Sequence, residues 1–200
     1  MALGTASGIV KRVLPEYPAN RDEFELITLK DGDRVVGAVH LAGDDAELVF
    51  VSSDAQLLRF PASAVRPQGR QAGGMAGIRL ADGATGIWFG ALGPAAGPAG
   101  EAVVVTVAGR SGALPGTGGA SVKVTPFAEY PPKGRATGGV RCQRFLKGED
   151  GLIQAWIGPP PVLAATESGV MVDLSGMQGR RDGSGTALTR QLAYLGPALT

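Results

Sequence analysis

Four segments of one kind recur along the chain: ALGTASGIVKRV (2–13), VFVSSDAQLLRF (49–60), VVVTVAGRSGAL (103–114) and VLAATESGVMVDL (162–174). Each is an apolar run, then Thr or Ser, a short turn with a small residue, and a second apolar run. The pattern is a hairpin written four times. Its landmarks Thr5, Ser52, Thr106 and Thr166 are spaced by 47, 54 and 60 residues. A hairpin repeat of that period predicts radially stacked β-sheet blades, because one blade cannot bury both of its faces alone. The expected blades cover residues 1–45, 46–98, 99–158 and 159–200.

The segments between the landmarks also read as β. LVFVSS (48–53), AVVVTVAG (102–109) and GVMVDL (169–174) are short apolar runs bounded by turn residues. ELITL (25–29) and RVVGAVHLAG (34–43) flank a KDGD turn, and GIRL (77–80) and GIWFGAL (86–92) flank ADGA. No amphipathic helix is evident. Glycine at 32 residues and proline at 14 fit a chain with many turns. GPAAGPAG (93–100) and GALPGTGGAS (112–121) are the expected flexible links, GPPP (158–161) is a stiffer one, and LAYLGPALT is a trailing strand. An apolar fraction of 44% argues against disorder. No apolar stretch is long enough for a membrane span, and no signal-peptide pattern opens the chain. One cysteine, Cys142, excludes an internal disulfide and fits a reducing compartment, so a bacterial cytoplasm is expected.

The net charge of +1 hides a strong asymmetry. Residues 1–54 carry 10 acids and 5 bases, residues 55–147 carry 3 acids and 11 bases, and residues 148–200 carry 5 acids and 3 bases. A basic middle between acidic ends points to a local polyanion surface. Within it, PQGRQAGGM (67–75) and PKGRATGGV (132–140) share the form Pro-x-Gly-Arg-x-x-Gly-Gly, 65 residues apart, with GRRDGSGTAL (179–188) a weaker third copy. Glycines beside an arginine allow close approach of a partner, and the guanidinium fork suits phosphate oxygens. The alternative is a turn whose arginine caps a carbonyl or pairs with an acid. GIVKRVLPEY (8–17) and GASVKVTPFAEY (119–130) share a Val-Lys, a proline and a closing Glu-Tyr. They place Lys11, Arg12 and Lys123 at strand ends, from which a long cation could reach outward.

Other chemistry is sparse. His40 has no second histidine and reads as a packed or solvent-edge residue. Cys142 reads as a small buried hydrophobe. Asp31, Asp33, Asp44 and Asp45 occupy turn positions, and Trp88 and Trp156 read as core.

The Thr/Ser-x-x-Gly-hydrophobic pattern, the GIVKR and SVKVTP segments and the Gly-Arg loops resemble the C-terminal domain of type IIA topoisomerase A subunits. That is the β-pinwheel of DNA gyrase A and topoisomerase IV, and the resemblance covers nearly the whole chain. It implies an all-β, propeller-like pinwheel of about four blades, each a four-stranded antiparallel sheet with strands exchanged between neighbours, forming the C-terminal part of a longer polypeptide. It implies non-sequence-specific binding and bending of double-stranded DNA on a basic rim. Its other partners would be the N-terminal breakage–reunion region and the B subunit of an ATP-dependent enzyme in the nucleoid. The basic Gln-Arg-Arg-Gly-Gly-Lys-Gly heptapeptide of gyrases is not in this sequence, which places the expectation nearer the topoisomerase IV type. The family's cleavage tyrosine follows an arginine, whereas Tyr17 and Tyr130 follow glutamates and Tyr194 follows Ala193. No catalytic residue, cofactor or metal is therefore expected here. The expected DNA contacts are Arg59, Arg66, Arg70, Lys123, Lys133, Arg135, Arg141 and Arg144, with Lys11 and Arg12. A protein-interaction scaffold of the same fold is the alternative.

Overall fold

The computed structural model describes residues 1–93, 101–113 and 119–197. The expected flexible link 93–100 therefore lies almost wholly outside the described residues, and 112–121 half outside them. The strands of the first half are β1 (Ala2–Thr5), β2 (Ile9–Val13), β3 (Val35–Val39), β4 (Glu47–Ser52), β5 (Gln56–Pro61), β6 (Pro67–Gln68), β7 (Met75–Ala76) and β8 (Gly86–Leu92). The second half adds β9 (Val103–Gly109), β10 (Ser121–Pro126), β11 (Val140–Arg141), β12 (Gly151–Gly158), β13 (Val162–Ala165), β14 (Thr186–Ala187) and β15 (Tyr194–Pro197). Two short 3-10 turns, Ala62–Ala64 and Phe127–Glu129, are the helical elements among the described residues. The fold is all-β.

Three sheets share one plan: β3-β1-β2, β8-β4-β5 and β12-β9-β10, each closed on its last strand by a short piece from the following segment. Met75 and Ala76 of β7 pair with Val10 and Ile9. Val140 and Arg141 of β11 pair with Leu57 and Gln56, and Thr186 and Ala187 of β14 pair with Val122 and Ser121. In the first sheet β6 also runs parallel to β2. The fourth unit is the two-stranded sheet β13-β15.

The central strands are largely apolar because both of their faces are covered. Alternate side chains of β4 go opposite ways. Leu48 and Phe50 pack with Ala2 and Val10 of the first sheet, while Val49 and Val51 pack with Val104 and Ala108 of the third. Val105 and Val107 turn to Ala164, Leu174 and Leu192 of the fourth unit. Three cores thus lie between successive sheets, which is why no sheet stands alone.

The hairpin turn recurs with its chemistry intact. The hydroxyl oxygens of Thr5, Ser52 and Thr166 each accept the N–H four residues on, from Ile9, Gln56 and Val170, at 3.2 Å. Gly8, Ala55 and Gly169 take the left-handed position beside them, with φ of 82°, 60° and 79°. Thr106 is not the third landmark. It pairs with Lys123 as Leu3 pairs with Lys11 and Phe50 with Leu58, so it lies in mid-strand and Ala108 occupies the turn-entry position.

Other expectations need correction. Residues 25–29 are irregular, because the Leu26 carbonyl is taken by the Lys11 ammonium and Thr28 donates its hydroxyl to the Gln71 carbonyl. Residues 77–80 are not a strand either: the N–H groups of Gly77 and Ile78 bond the Gly8 carbonyl, and that of Arg79 bonds the Thr137 carbonyl. In 169–174 a bridge of Met171 to Ala165 replaces the expected strand, and among the described residues β13 pairs with β15 alone in the fourth unit. The two Glu-Tyr echoes also diverge. Tyr130 is buried at the end of a 3-10 turn, whereas Tyr17 is exposed and stacks on Phe24.

Candidate functional site

The Gly-Arg loops are the connections into the strand that each segment gives to the preceding sheet. A glycine stands directly before each such strand. A Cβ on Gly74 would lie 2.8 Å from the Val10 carbonyl oxygen, one on Gly139 2.6 Å from that of Leu57, and one on Gly185 2.9 Å from that of Val122. These three acceptors are equivalent residues of β2, β5 and β10. Gly74 and Gly139 also have φ of 83° and 74°, a conformation that penalises side chains. The repeated glycine is required by close packing of the exchanged strand.

The two strand lysines point inward, which corrects the expectation that they reach out. Lys11 is fully buried, and its Nζ donates to the carbonyls of Leu26 at 2.8 Å and of Arg70 and Ala72 at 2.6 Å. Lys123, 1% exposed, donates to the carbonyls of Arg180 at 3.0 Å, Arg181 at 2.6 Å and Gly183 at 3.0 Å. Each ammonium sits under a Gly-Arg loop and saturates its three donors on carbonyls in that loop and, for Lys11, on Leu26 beside it. Desolvation lowers both pKa values, that of Lys123 to about 8. Buried under their loops, neither can touch a phosphate. At the same register of the middle sheet stands Leu58. Its loop is held otherwise, by Lys133 Nζ on the Gly139 carbonyl at 3.0 Å and the Thr137 hydroxyl on the Gly134 carbonyl at 2.8 Å.

Arg12 and Arg59 are also largely committed to the fold. Arg12 donates to the carbonyls of Ala62 and Val65 and pairs with Asp44. Arg59 pairs with Glu47 at 3.0 Å and lies 4.6 Å over the Phe127 ring. Acids at the entry to β4 thus offset both cations, a relation that distance in sequence hides.

The loops bind the neighbouring sheet by two bonds that repeat. Arg135 donates to the Ala76 carbonyl at 2.5 Å, and Arg181 to the Arg141 carbonyl at 2.9 Å. The Arg79 N–H donates to the Thr137 carbonyl and the Arg144 N–H to the Gly183 carbonyl, each at 3.0 Å. Ala76 matches Arg141 and Arg79 matches Arg144 in the register of the exchanged strands. For Arg135 the carbonyl-capping alternative is therefore what the structure shows. Arg70, in the first loop, lies 5.6 Å over the Phe24 ring and is half-buried.

Of the exposed cations, Arg66, Arg79 and Lys133 lie on segments that meet where the first and second sheets join, and Arg141, Arg144 and Arg180, the last 3.9 Å from Asp182, on segments that meet where the second and third join. Arg79 and Arg180 were not among the residues expected from sequence. The 65-residue spacing of Arg79 and Arg144 was the available signal.

His40 is exposed, and no group of three metal-ligating side chains occurs among the described residues. Cys142 is buried in the core, where desolvation pushes its thiol up to about 12. No helix among the described residues is long and apolar enough to cross a membrane.

A family model described as the DNA gyrase C-terminal domain, beta-propeller, matches residues 25–41, 46–85 and 116–155. The gyrase A protein of Mycobacterium bovis is 29% identical over 194 residues, covering 93% of this chain and 21% of that protein. The gyrase A protein of Escherichia coli is 34% identical over 140 residues, covering 69% of this chain and 14% of that protein. The chain thus spans about a fifth or less of the length of these relatives. Among solved structures, the C-terminal domain of DNA topoisomerase IV superposes with a TM-score of 0.75 at 23% identity, covering 92% of this chain and 55% of that one. A DNA gyrase A C-terminal domain gives 0.73 at 16% identity, covering 97% and 64%.

Proposed function

This chain belongs to the C-terminal β-pinwheel family of type IIA topoisomerase A subunits, and from that premise we propose that it binds double-stranded DNA along the exposed cations of its sheet junctions. The observation that carries the reading is the repeat of Arg79 and Arg144. Both are exposed, both have their backbone N–H fixed by the adjoining Gly-Arg loop, and both sit at the same register of successive sheets. Arg66 and Lys133 flank the first, and Arg141 and Arg180 the second. Cations repeated at a fixed register suit a phosphate backbone rather than base edges. They would neutralise phosphates and release counterions, offsetting a bending cost on the order of a few kcal/mol.

In this reading the domain presents DNA to the breakage–reunion region and B subunit of an ATP-dependent topoisomerase and does no cutting itself. Tyr130 is buried, and neither Tyr17 nor Tyr194 follows an arginine. The missing wrapping heptapeptide favours the topoisomerase IV type, and a bacterial cytoplasmic setting follows from the same premise.

One observation favours a second surface for protein contact. Leu163, Met171 and Tyr194 are exposed together on the fourth unit, where Ala165 pairs with Tyr194 and bridges Met171.

The test is affinity for a ~40 bp duplex of arbitrary sequence, titrated from low to physiological salt. A steep fall with salt that ignores sequence supports the reading. Absence of binding at low salt moves the function to protein contact.

A further inference from the structure

Lys11 and Lys123 are buried cations in a protein whose other cations are mostly at its surface, and each spends all three donors on backbone carbonyls in and beside one loop. The acceptors are not arbitrary. Lys11 takes the carbonyl of Arg70, and Lys123 takes those of Arg180 and Arg181, so each ammonium grips the peptide unit of the loop's own arginines. The second grip is on Ala72 in one loop and Gly183 in the other, residues at the same place relative to the exchanged strand. Gly179 adds to the fit: a Cβ there would fall 2.9 Å from Lys123 Cδ, so the loop lies directly on the lysine stem.

An apolar residue suffices for packing at this register, since Leu58 fills it in the middle sheet. The lysines therefore supply something beyond bulk. A glycine-rich loop has many backbone conformations, and three charge-assisted hydrogen bonds from one rigidly buried group select one of them.

We propose that Lys11 and Lys123 are positioning residues for DNA binding: by holding the loops at 69–74 and 179–185 in one conformation they set the half-buried Arg70, over the Phe24 ring, and the exposed Arg180, beside Asp182, where each can reach a phosphate along the sheet junctions. The inference rests on the DNA-binding reading above and assigns these lysines no phosphate contact. The middle loop reaches the same end through its own Lys133 and Thr137.

The test compares the unsubstituted protein with Lys11→Met and Lys123→Met, singly and together. Amide hydrogen exchange reads each loop, and affinity for a ~40 bp duplex at fixed low salt reads binding. Lys11→Met should speed exchange in 69–74 only and Lys123→Met in 179–185 only, with 132–139 unchanged in both. The double variant should bind about five- to tenfold more weakly, the scale of losing one or two phosphate contacts. Should the double variant not fold, the single variants carry the same two readouts. Unchanged exchange in the loops overturns the proposal, as does loosening with unchanged affinity, which would leave the lysines with a purely structural role. If the unsubstituted protein does not bind the duplex at low salt, the DNA-binding reading fails first and this proposal falls with it.

Discussion

Arg181 donates a guanidinium hydrogen bond to the backbone carbonyl of Arg141 at 2.9 Å, and 46 residues earlier Arg135 makes the same bond to Ala76. One arginine of the second loop and one of the third thus fasten the exchanged strands β7 and β11 to the segment that follows. A charge-assisted bond of this kind contributes about 1–2 kcal/mol when partly exposed. Arg135→Ala and Arg181→Ala are expected to lower unfolding stability by that amount each, read as a shift in urea midpoint. No change in either midpoint would show that the bonds do not fasten the sheets.

Arg79→Ala and Arg144→Ala should do the opposite. Their side chains are exposed, and the bonds that fix them are made by backbone N–H groups that alanine keeps. Stability should stay within about 0.5 kcal/mol of the unsubstituted protein. Duplex affinity should fall for every sequence, and the slope of log K against log salt should drop by about two in the double variant. An unaltered slope would remove both residues from the interface.

The repeat was legible in the sequence because hairpin turns need particular residues. Thr5, Ser52 and Thr166 reveal themselves by hydroxyl chemistry, and the glycines by backbone conformation. The roles of the cations were not legible. Lys11 and Arg12 are adjacent in β2, yet alternation sends one under a loop and the other to the carbonyls of Ala62 and Val65. The partners of both lysines are at least 57 residues away except for Leu26, so no local pattern could announce them. Thr106 misled because a mid-strand threonine looks like a turn threonine until the register is known. ELITL has the composition of a strand, but its Leu26 carbonyl is taken by the Lys11 ammonium and its Thr28 hydroxyl donates to the Gln71 carbonyl of the first Gly-Arg loop.

The glycines before the exchanged strands test the combined demand of backbone conformation and close packing. Gly74→Ala and Gly139→Ala each place a Cβ within 2.8 Å of backbone or side-chain atoms at positive φ. Each should cost about 2–4 kcal/mol in thermal or urea unfolding. Gly69, in the first of these same loops, has nothing within 4 Å of its Cβ position and no positive φ. Gly69→Ala should stay within about 0.5 kcal/mol. Equal costs at Gly69 and Gly74 would contradict the packing assigned to the exchanged strand.

The buried lysine makes stability depend on pH in a direction opposite to an ordinary salt bridge. Lys123 loses its proton near 8 in the folded protein and near its ordinary 10.5 when unfolded. Between those values the unfolded chain holds more protons, so stability rises with pH, by up to about 1.4 kcal/mol per unit. Below 8 both states are charged and this contribution is flat. The groups acting on Lys123 are Cys142, Asp182, Glu129 and Arg181, and desolvation outweighs the attraction of the acids. Cys142 works against the trend at higher pH: its thiol titrates near 12 when folded and at its ordinary 9.0 when unfolded, so stability declines through that range. Tyr130, raised above its ordinary 10.0, adds to the decline. The gain from Lys123 is therefore clearest between about 8 and 9. Urea unfolding across that interval should show stability rising in the unsubstituted protein and a much smaller rise in Lys123→Met. Lys11 and the N-terminal amine, whose pKa values burial also lowers, act in the same direction and are common to both proteins. Identical pH profiles for the two proteins would mean that the three carbonyls hold the ammonium charged against the desolvation that opposes it.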